Sequence, residues 1–355
     1  CDIQNSSFIS NKAGGSGGGF YAWVGGTVSI HRVIFLTNSA ADGGGLHVRR
    51  MSKCSVQYST FIGNKAADIG GAIGAHFGGT KLRISTVTFI NNTALGDSGG
   101  GIVMQFISEC SLQFSSIIEN RARKSGAGIA AQYGYINLSI NKVIFLSNFA
   151  MLKEGGGLNV KKISQCSLQN AIFIRNRATN GGGIATRHVT MKLNINMVTS
   201  ISNTALHGKG GGVLVEEISI CSIKNSTFVE NKATYGAGIY ARNCRTLCYD
   251  RLKSRNNIAS VSGGGIWLGL ISNCSVHNSS FIENKATSQG SGVIANTVNQ
   301  LYYFNCDFIS GRTHAIHIKI VVIALIKDCT VKDHTASHGA GVYAETCEVL
   351  SIVNL

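Results

Sequence analysis

Cleaving a polysaccharide needs two carboxyl groups flanking one sugar, so the acidic residues are the first candidates for chemistry. Only 17 Asp and Glu occur in 355 residues. Glu119, Glu230 and Glu283 stand at equivalent places, each just before an Asn, where Ser10, Gly63 and Arg175 stand elsewhere. That exchange reads as a solvated face. Glu216-Glu217 takes the place that Arg49-Arg50 and Lys161-Lys162 take in other segments, so it too is expected to be exposed. Metal chemistry would draw on Cys306, Asp307, His314 and His317, in an irregular stretch that also holds Tyr302, Tyr303 and Arg312. Their spacing matches no zinc pattern. The expectation is no catalytic residue, no metal and no cofactor, with a pectate lyase-like or glycosidase enzyme as the alternative.

Binding chemistry is better represented. The chain carries 32 Lys+Arg, a formal net charge of +15 and a pI near 9.4. Lys12, Lys65, Arg121, Arg177, Lys232 and Lys285 each directly follow an Asn. Stacked two strands apart they would be spaced by about 9.6 Å, near one Debye length at about 0.1 M salt. Such a stripe attracts acidic or sulfated glycans, or anionic partners on a host or neighbouring cell surface. Aromatic platforms interleaved with the charge, which single-strand nucleic-acid binders need, are not apparent, so no nucleic acid is expected.

The elements that position these residues come from a repeat. Cys1, Cys54, Cys110, Cys166, Cys221, Cys274 and Cys329 open related phrases, as in CSVQYSTFIGNKA, CSIKNSTFVENKA and CSVHNSSFIENKA. Between them lie matching halves opened by Val28, Leu82, Leu138, Leu193, Leu247 and Leu301. Thirteen units of about 27 residues cover the chain. Each has an alternating apolar opening, an apolar stretch ending in Phe-x-x-Asn, and then Gly-x-Gly followed by further alternation, as at Ile73 and Ala75. Alternation marks strands, and Gly and Asn mark the bends. This predicts an all-β fold, a single-stranded right-handed parallel β-helix or solenoid with three short strands per coil. Handedness follows from the β-crossover preference. One continuous domain over 1–355 is expected, as a fragment of a longer chain.

Stacking turns each repeated position into a column. The opening column exchanges Cys with Leu and Val, which makes the thiols buried apolar fillers. Two turns separate successive cysteines, about 9.6 Å, beyond the roughly 7 Å that a disulfide tolerates. The pairing of Cys244, Cys248, Cys306 and Cys347, which lie off that column, stays open. Asn11, Asn38, Asn64, Asn92, Asn120, Asn148, Asn176, Asn203, Asn231, Asn257 and Asn284 form a second column. It is expected to be a structural ladder, because Asn tolerates left-handed bends and its amide both donates and accepts. Composition excludes other classes. Hydrophobic residues make up 44%, too many for a disordered chain, and no apolar run reaches the roughly 18 residues of a membrane helix.

Phe61-Ile62-Gly63-Asn64 and Gly70-Gly71-Ala72-Ile73 resemble the paired repeat motifs of chlamydial polymorphic membrane proteins, and the pair recurs over almost the whole chain. The resemblance implies a surface-exposed β-helix with an adhesive role, anchored in that family by a C-terminal membrane barrel. Cys at the head of alternate turns departs from the bacterial pattern. The expected function is a non-catalytic extracellular or cell-surface adhesin or structural stalk.

Overall fold

A computed structural model describes residues 1–355 and contains strands but no helix. By backbone contacts the chain divides into two compact units, Cys1–Thr179 and Asn180–Leu355. Each is a parallel β-solenoid. The strand that carries the Phe position occurs 13 times, once per turn.

One turn of the first unit shows how the sequence winds. Lys81–Ser85 is the opening strand, followed by Thr88–Ile90 and the two-residue Thr93–Ala94. A glycine bend then leads into the return strand Ile102–Gln105. The neighbours on both sides lie in register: Leu82 pairs with Cys54 and Cys110, Phe89 with Phe61 and Ile117, and Thr93 with Lys65 and Arg121. No turn can bury its inward side chains alone; stacking buries them as continuous columns. The core Phe35, Phe61 and Phe89 are fully buried, with ring centroids 4.5 and 5.1 Å apart. Such offset stacks contribute about 0.5–1.5 kcal/mol per pair beyond the area they bury.

Two details refine the strand pattern. The return strand of one turn and the opening strand of the next share a sheet, and in several turns they merge into one 12-residue strand, as in Leu46–Gln57 and Ile239–Asp250. Lys12 makes an isolated bridge, and the residues after most ladder Asn form a third short strand, of two residues in the first unit and up to five in the second. The corner before it also differs from expectation. The residue ahead of the Asn takes the left-handed conformation, as at Thr37 (φ 52°), Glu119 (φ 54°) and Glu283 (φ 53°), and the Asn does not. What the Asn supplies is its amide. Asn64 Nδ2 donates to Asn92 Oδ1 (3.0 Å) and to the Phe35 carbonyl (2.9 Å), while the backbone N–H of Asn64 also donates to Asn92 Oδ1 (2.9 Å). A buried amide thereby satisfies itself and the corner above it. At the opposite bend Gly70 has φ +68°, and a Cβ there would fall 2.6 Å from the Ile73 carbonyl oxygen. Only glycine fits.

The second unit corrects the cysteine column. Cys274 pairs with Leu301, but Leu301 pairs with Ala324, so Ala324 holds the place expected for Cys329. The cause is a short turn. The Gly-x-Gly bend is missing between Asp307–Gly311 and Ile316–Lys327, and the register advances by fewer residues than the usual repeat. Cys329 therefore falls at another corner.

Candidate ligand-binding face

In the first unit, Lys12, Lys65, Arg121 and Arg177 are all exposed and occupy the very short strand after the ladder Asn. Its rungs run Lys12, Ser39, Lys65, Thr93, Arg121, Phe149, Arg177 in strict register. Cations thus recur at every second turn, about 9.6 Å apart at ordinary strand spacing. Arg177 lies over the Phe149 ring at 5.5 Å, which holds its guanidinium against the face. Glu119 is the one acid directly ahead of a ladder Asn in this unit. In the second unit the column is Thr204, Lys232, Ile258, Lys285. There Glu230 and Glu283 stand at the adjacent corners, with Glu283 bonded to Arg255 at 3.2 Å and Glu230 to Ser202 at 3.0 Å. A shallow depression bordered by Ser202, Glu230, Lys232, Asn256 and Lys285 is consequently of mixed charge.

The structure also brings together aromatics that are 27 to 29 residues apart in the chain. Phe77 stacks on Phe106 (5.4 Å, 1°) and Phe106 on Tyr133 (5.9 Å, 19°) at the bend between return and opening strands. Arg49 covers the outer face of this stack at Phe77 (5.3 Å) and Lys162 approaches Tyr133 (5.9 Å). Aromatics interleaved with charge are therefore present, contrary to expectation. They were missed because the rings come from separate turns. Phe77 and Phe106 nonetheless stay exposed, at 38% and 46%.

Glu216 is a second correction. It is 7% exposed rather than solvated. Arg187 Nη2 meets its carboxylate at 2.9 Å and Lys209 Nζ at 3.8 Å. Lys209 in turn lies 5.0 Å above Tyr240, which stacks on Trp267 at 4.4 Å. Burial raises the Tyr240 hydroxyl to about 12, with the Glu216 charge adding to it. Glu216 stands in register with Arg187 of the preceding turn, a cross-strand pair invisible until register is known. Glu217 pairs with His188 at 2.7 Å.

The residues of the metal reading separate. Cys306 is buried at a corner, Asp307 is exposed, and His314 and His317 pack with Tyr343. His317 Nε2 meets Glu345 Oε1 at 2.9 Å. No group of three or more His, Cys, Asp or Glu is placed to hold a metal ion. Among acids in the first unit, Asp68 and burial together raise the Asp42 carboxyl, burial being the larger cause. Asp97 is held by Lys124 at 2.6 Å. Cys244 donates to the Arg242 carbonyl at 3.3 Å, and the structure holds no disulfide.

Comparison with known proteins agrees with this geometry. Residues 211–354 match the family described as the right handed beta helix region, and residues 58–76 match the Chlamydia polymorphic membrane protein repeat. The chain is a parallel β-helix whose repeats are similar to those of the Chlamydia polymorphic membrane proteins. It is 29% identical over 188 residues, 52% of its length, to a protein of Chlamydia muridarum described as "Probable outer membrane protein PmpB". It is 25% identical over 295 residues, 75% of its length, to "Metabotropic glutamate receptor-like protein P" of Dictyostelium discoideum. The aligned regions span 10% and 20% of those relatives. No solved structure matches the chain. No helix here is long and apolar enough to cross a membrane.

Proposed function

We propose that this chain is a non-catalytic, cell-surface β-helix that acts as an adhesin or structural stalk and binds acidic glycans along its first unit. The observation that carries this reading is the in-register column Lys12, Lys65, Arg121, Arg177, exposed at every second turn. Its pitch is close to one disaccharide of an extended polysaccharide, so a chain with one carboxylate or sulfate per disaccharide could meet each cation in turn. Glycan acids and cations so arranged attract at long range and fade as salt is added. Support for the cell surface comes from the outer membrane description of the C. muridarum relative and from the repeat at residues 58–76. We also propose that residues 1–355 form one continuous β-helix domain, for which a single cooperative unfolding transition is expected.

The test is elution from a heparin column across a salt gradient. The unaltered protein should be retained at low salt. A variant with Lys12, Lys65, Arg121 and Arg177 all changed to Gln should elute markedly earlier, and Lys232→Gln with Lys285→Gln should shift elution less. Equal elution of all three proteins would refute the stripe, and flow-through of the unaltered protein would refute glycan binding of this kind.

A further inference from the structure

The short turn that displaced Cys329 put it somewhere specific. One corner column in each unit holds the residue just before the Phe strand, and serines there share one bonding pattern. In the first unit Ser59 donates to the Gln57 carbonyl (2.7 Å) and Ser115 to the Gln113 carbonyl (2.7 Å). In the second unit Ser226 and Ser279 do the same to Lys224 (2.7 Å) and His277 (2.6 Å). Cys306 and Cys329 occupy the next two places of that column with thiols in the serine pattern, donating to the Phe304 carbonyl (3.3 Å) and the Lys327 carbonyl (3.2 Å). Their turns are directly adjacent. Asp307 pairs with Thr330, and the Thr330 N–H donates to the Cys306 carbonyl at 2.9 Å.

Adjacent in-register positions lie about 4.8 Å apart, inside the roughly 4.4–6.8 Å between α-carbons that disulfides span. This is the opposite of the opening column, where cysteines alternate with apolar residues and stand two turns apart. Both thiols are nearly inaccessible, at 1% and 4% exposure, and each donates to a backbone carbonyl two residues earlier in its own turn.

We propose that Cys306 and Cys329 are a built disulfide site, oxidised by a small-molecule disulfide such as oxidised glutathione to link two successive turns of the second unit. The Cys329 thiolate attacks one sulfur of the reagent and displaces a glutathione thiolate, forming a mixed disulfide. The Cys306 thiol then gives up its proton, and its sulfur attacks the Cys329 sulfur, displacing the second glutathione thiolate. Two protein thiols are oxidised by two electrons, the reagent is reduced to two thiols, and the two protons end on the released glutathione. Cys329 is the first attacker, because it is the more exposed of the two and the neighbouring Cys306 shifts its thiol downward while that of Cys306 is shifted up; the thiolate is the nucleophile.

The experiment refolds the protein from urea in a reduced and oxidised glutathione buffer, blocks remaining thiols by alkylation, and maps a non-reduced tryptic digest. The expected result is one linked species joining the peptide 286–312, which contains Cys306, to the peptide 328–332, which contains Cys329. Cys54, Cys110, Cys166 and Cys274 should be recovered as alkylated thiols. Cys306→Ser restores the serine of the column and is expected to fold, losing the link and leaving Cys329 as a mixed disulfide with glutathione. Recovery of both peptides unlinked from the unaltered protein would overturn the proposal, as would linkage of either cysteine to a different partner.

Discussion

In the first unit the Phe position reads Phe8, Phe35, Phe61, Phe89, Ile117, Phe145, Phe173, whereas in the second it reads Ser200, Phe228, Ser254, Phe281, Phe308, Val331. The first unit stacks rings over most of its length, with Phe145 and Phe173 only 4.4 Å apart. The second retains one such pair, Phe281 with Phe308 at 4.9 Å. Where serine replaces the ring, hydrogen bonds replace stacking. Ser200 Oγ accepts from Asn203 Nδ2 (3.0 Å) and donates to Asn231 Oδ1 (3.1 Å), and Ser254 Oγ accepts from Asn257 Nδ2 (3.1 Å) and bonds Asn284 Oδ1 (3.3 Å). In the turn of Ser254 the missing volume has a counterpart, because Tyr249 takes a buried position that Ile223 and Val276 hold in the turns on either side. At both serines the exchange at the innermost position is met by hydrogen bonds to the Asn ladder, since a buried polar group needs a partner. Charge differs as well: the first unit carries 17 Lys+Arg against 7 Asp+Glu, the second 15 against 10.

The largest effect should come from the ring column. Phe61→Ala opens a cavity between Phe35 and Phe89 and should cost about 3–5 kcal/mol, read by urea denaturation. A loss no greater than that of Ser254→Ala would abolish the contrast between the units.

Acid bears on both units, since burial also shifts His314 and His317 of the second unit downward, but the larger shifts lie in the first. His47 and His76, 5.0 Å apart in the first unit, are nearly buried, and Nδ1 of one and Nε2 of the other have no hydrogen-bond partner. Burial, the neighbouring His76 and Arg49 push His47 down to about 3, and burial with Arg49 pushes His76 down to about 4. An unfolded chain takes up these protons near the ordinary histidine pKa, so stability is complete above about pH 6.5 and falls as pH drops toward the folded values. Between pH 7 and 5 the loss should be about 2 kcal/mol per histidine. The His47→Gln, His76→Gln double variant should flatten that slope in a pH series of denaturation curves, and an unchanged slope would place the acid sensitivity elsewhere.

The tyrosine that accompanies Ser254 offers a smaller gain. The Tyr249 hydroxyl is fully buried without a hydrogen-bond partner, and burial raises it far above the ordinary tyrosine range. Tyr249→Phe removes an unsatisfied group and should stabilise the protein by about 1–2 kcal/mol; a drop in thermal midpoint would reveal a bond at that hydroxyl. Smallest of all, Ser254→Ala should cost about 1 kcal/mol, since Asn257 Nδ2 still donates to the Phe228 carbonyl (2.8 Å) and to Asn284 Oδ1 (2.9 Å).

Much of this architecture was readable from spacing. Phe61, Phe89 and Asn64 recur at intervals that only a stacked coil brings into line, and the structure pairs them accordingly. Lys65 and Arg121 could be placed on one face for the same reason. Cys329 could not be placed. A phrase similar to the cysteine openings resumes there, yet the shortened turn before it shifts register, and only hydrogen bonding between turns fixes where a strand settles. Glu216 looked exposed because other turns carry cations at the equivalent place; Arg187 on the adjacent rung and Lys209 in the preceding bend hold its carboxylate instead. The Phe77, Phe106, Tyr133 stack was hidden because each ring comes from a bend of variable length.

Residue order therefore settled the solenoid, its period and its inward columns, because every turn repeats the same alternation of apolar and bend-forming residues. Contact between turns decided the rest: which cysteines meet, which carboxylate is buried, and how aromatics at the bends stack. Those outcomes depend on register to within one residue, and register is set by backbone hydrogen bonds between turns that are far apart in the chain.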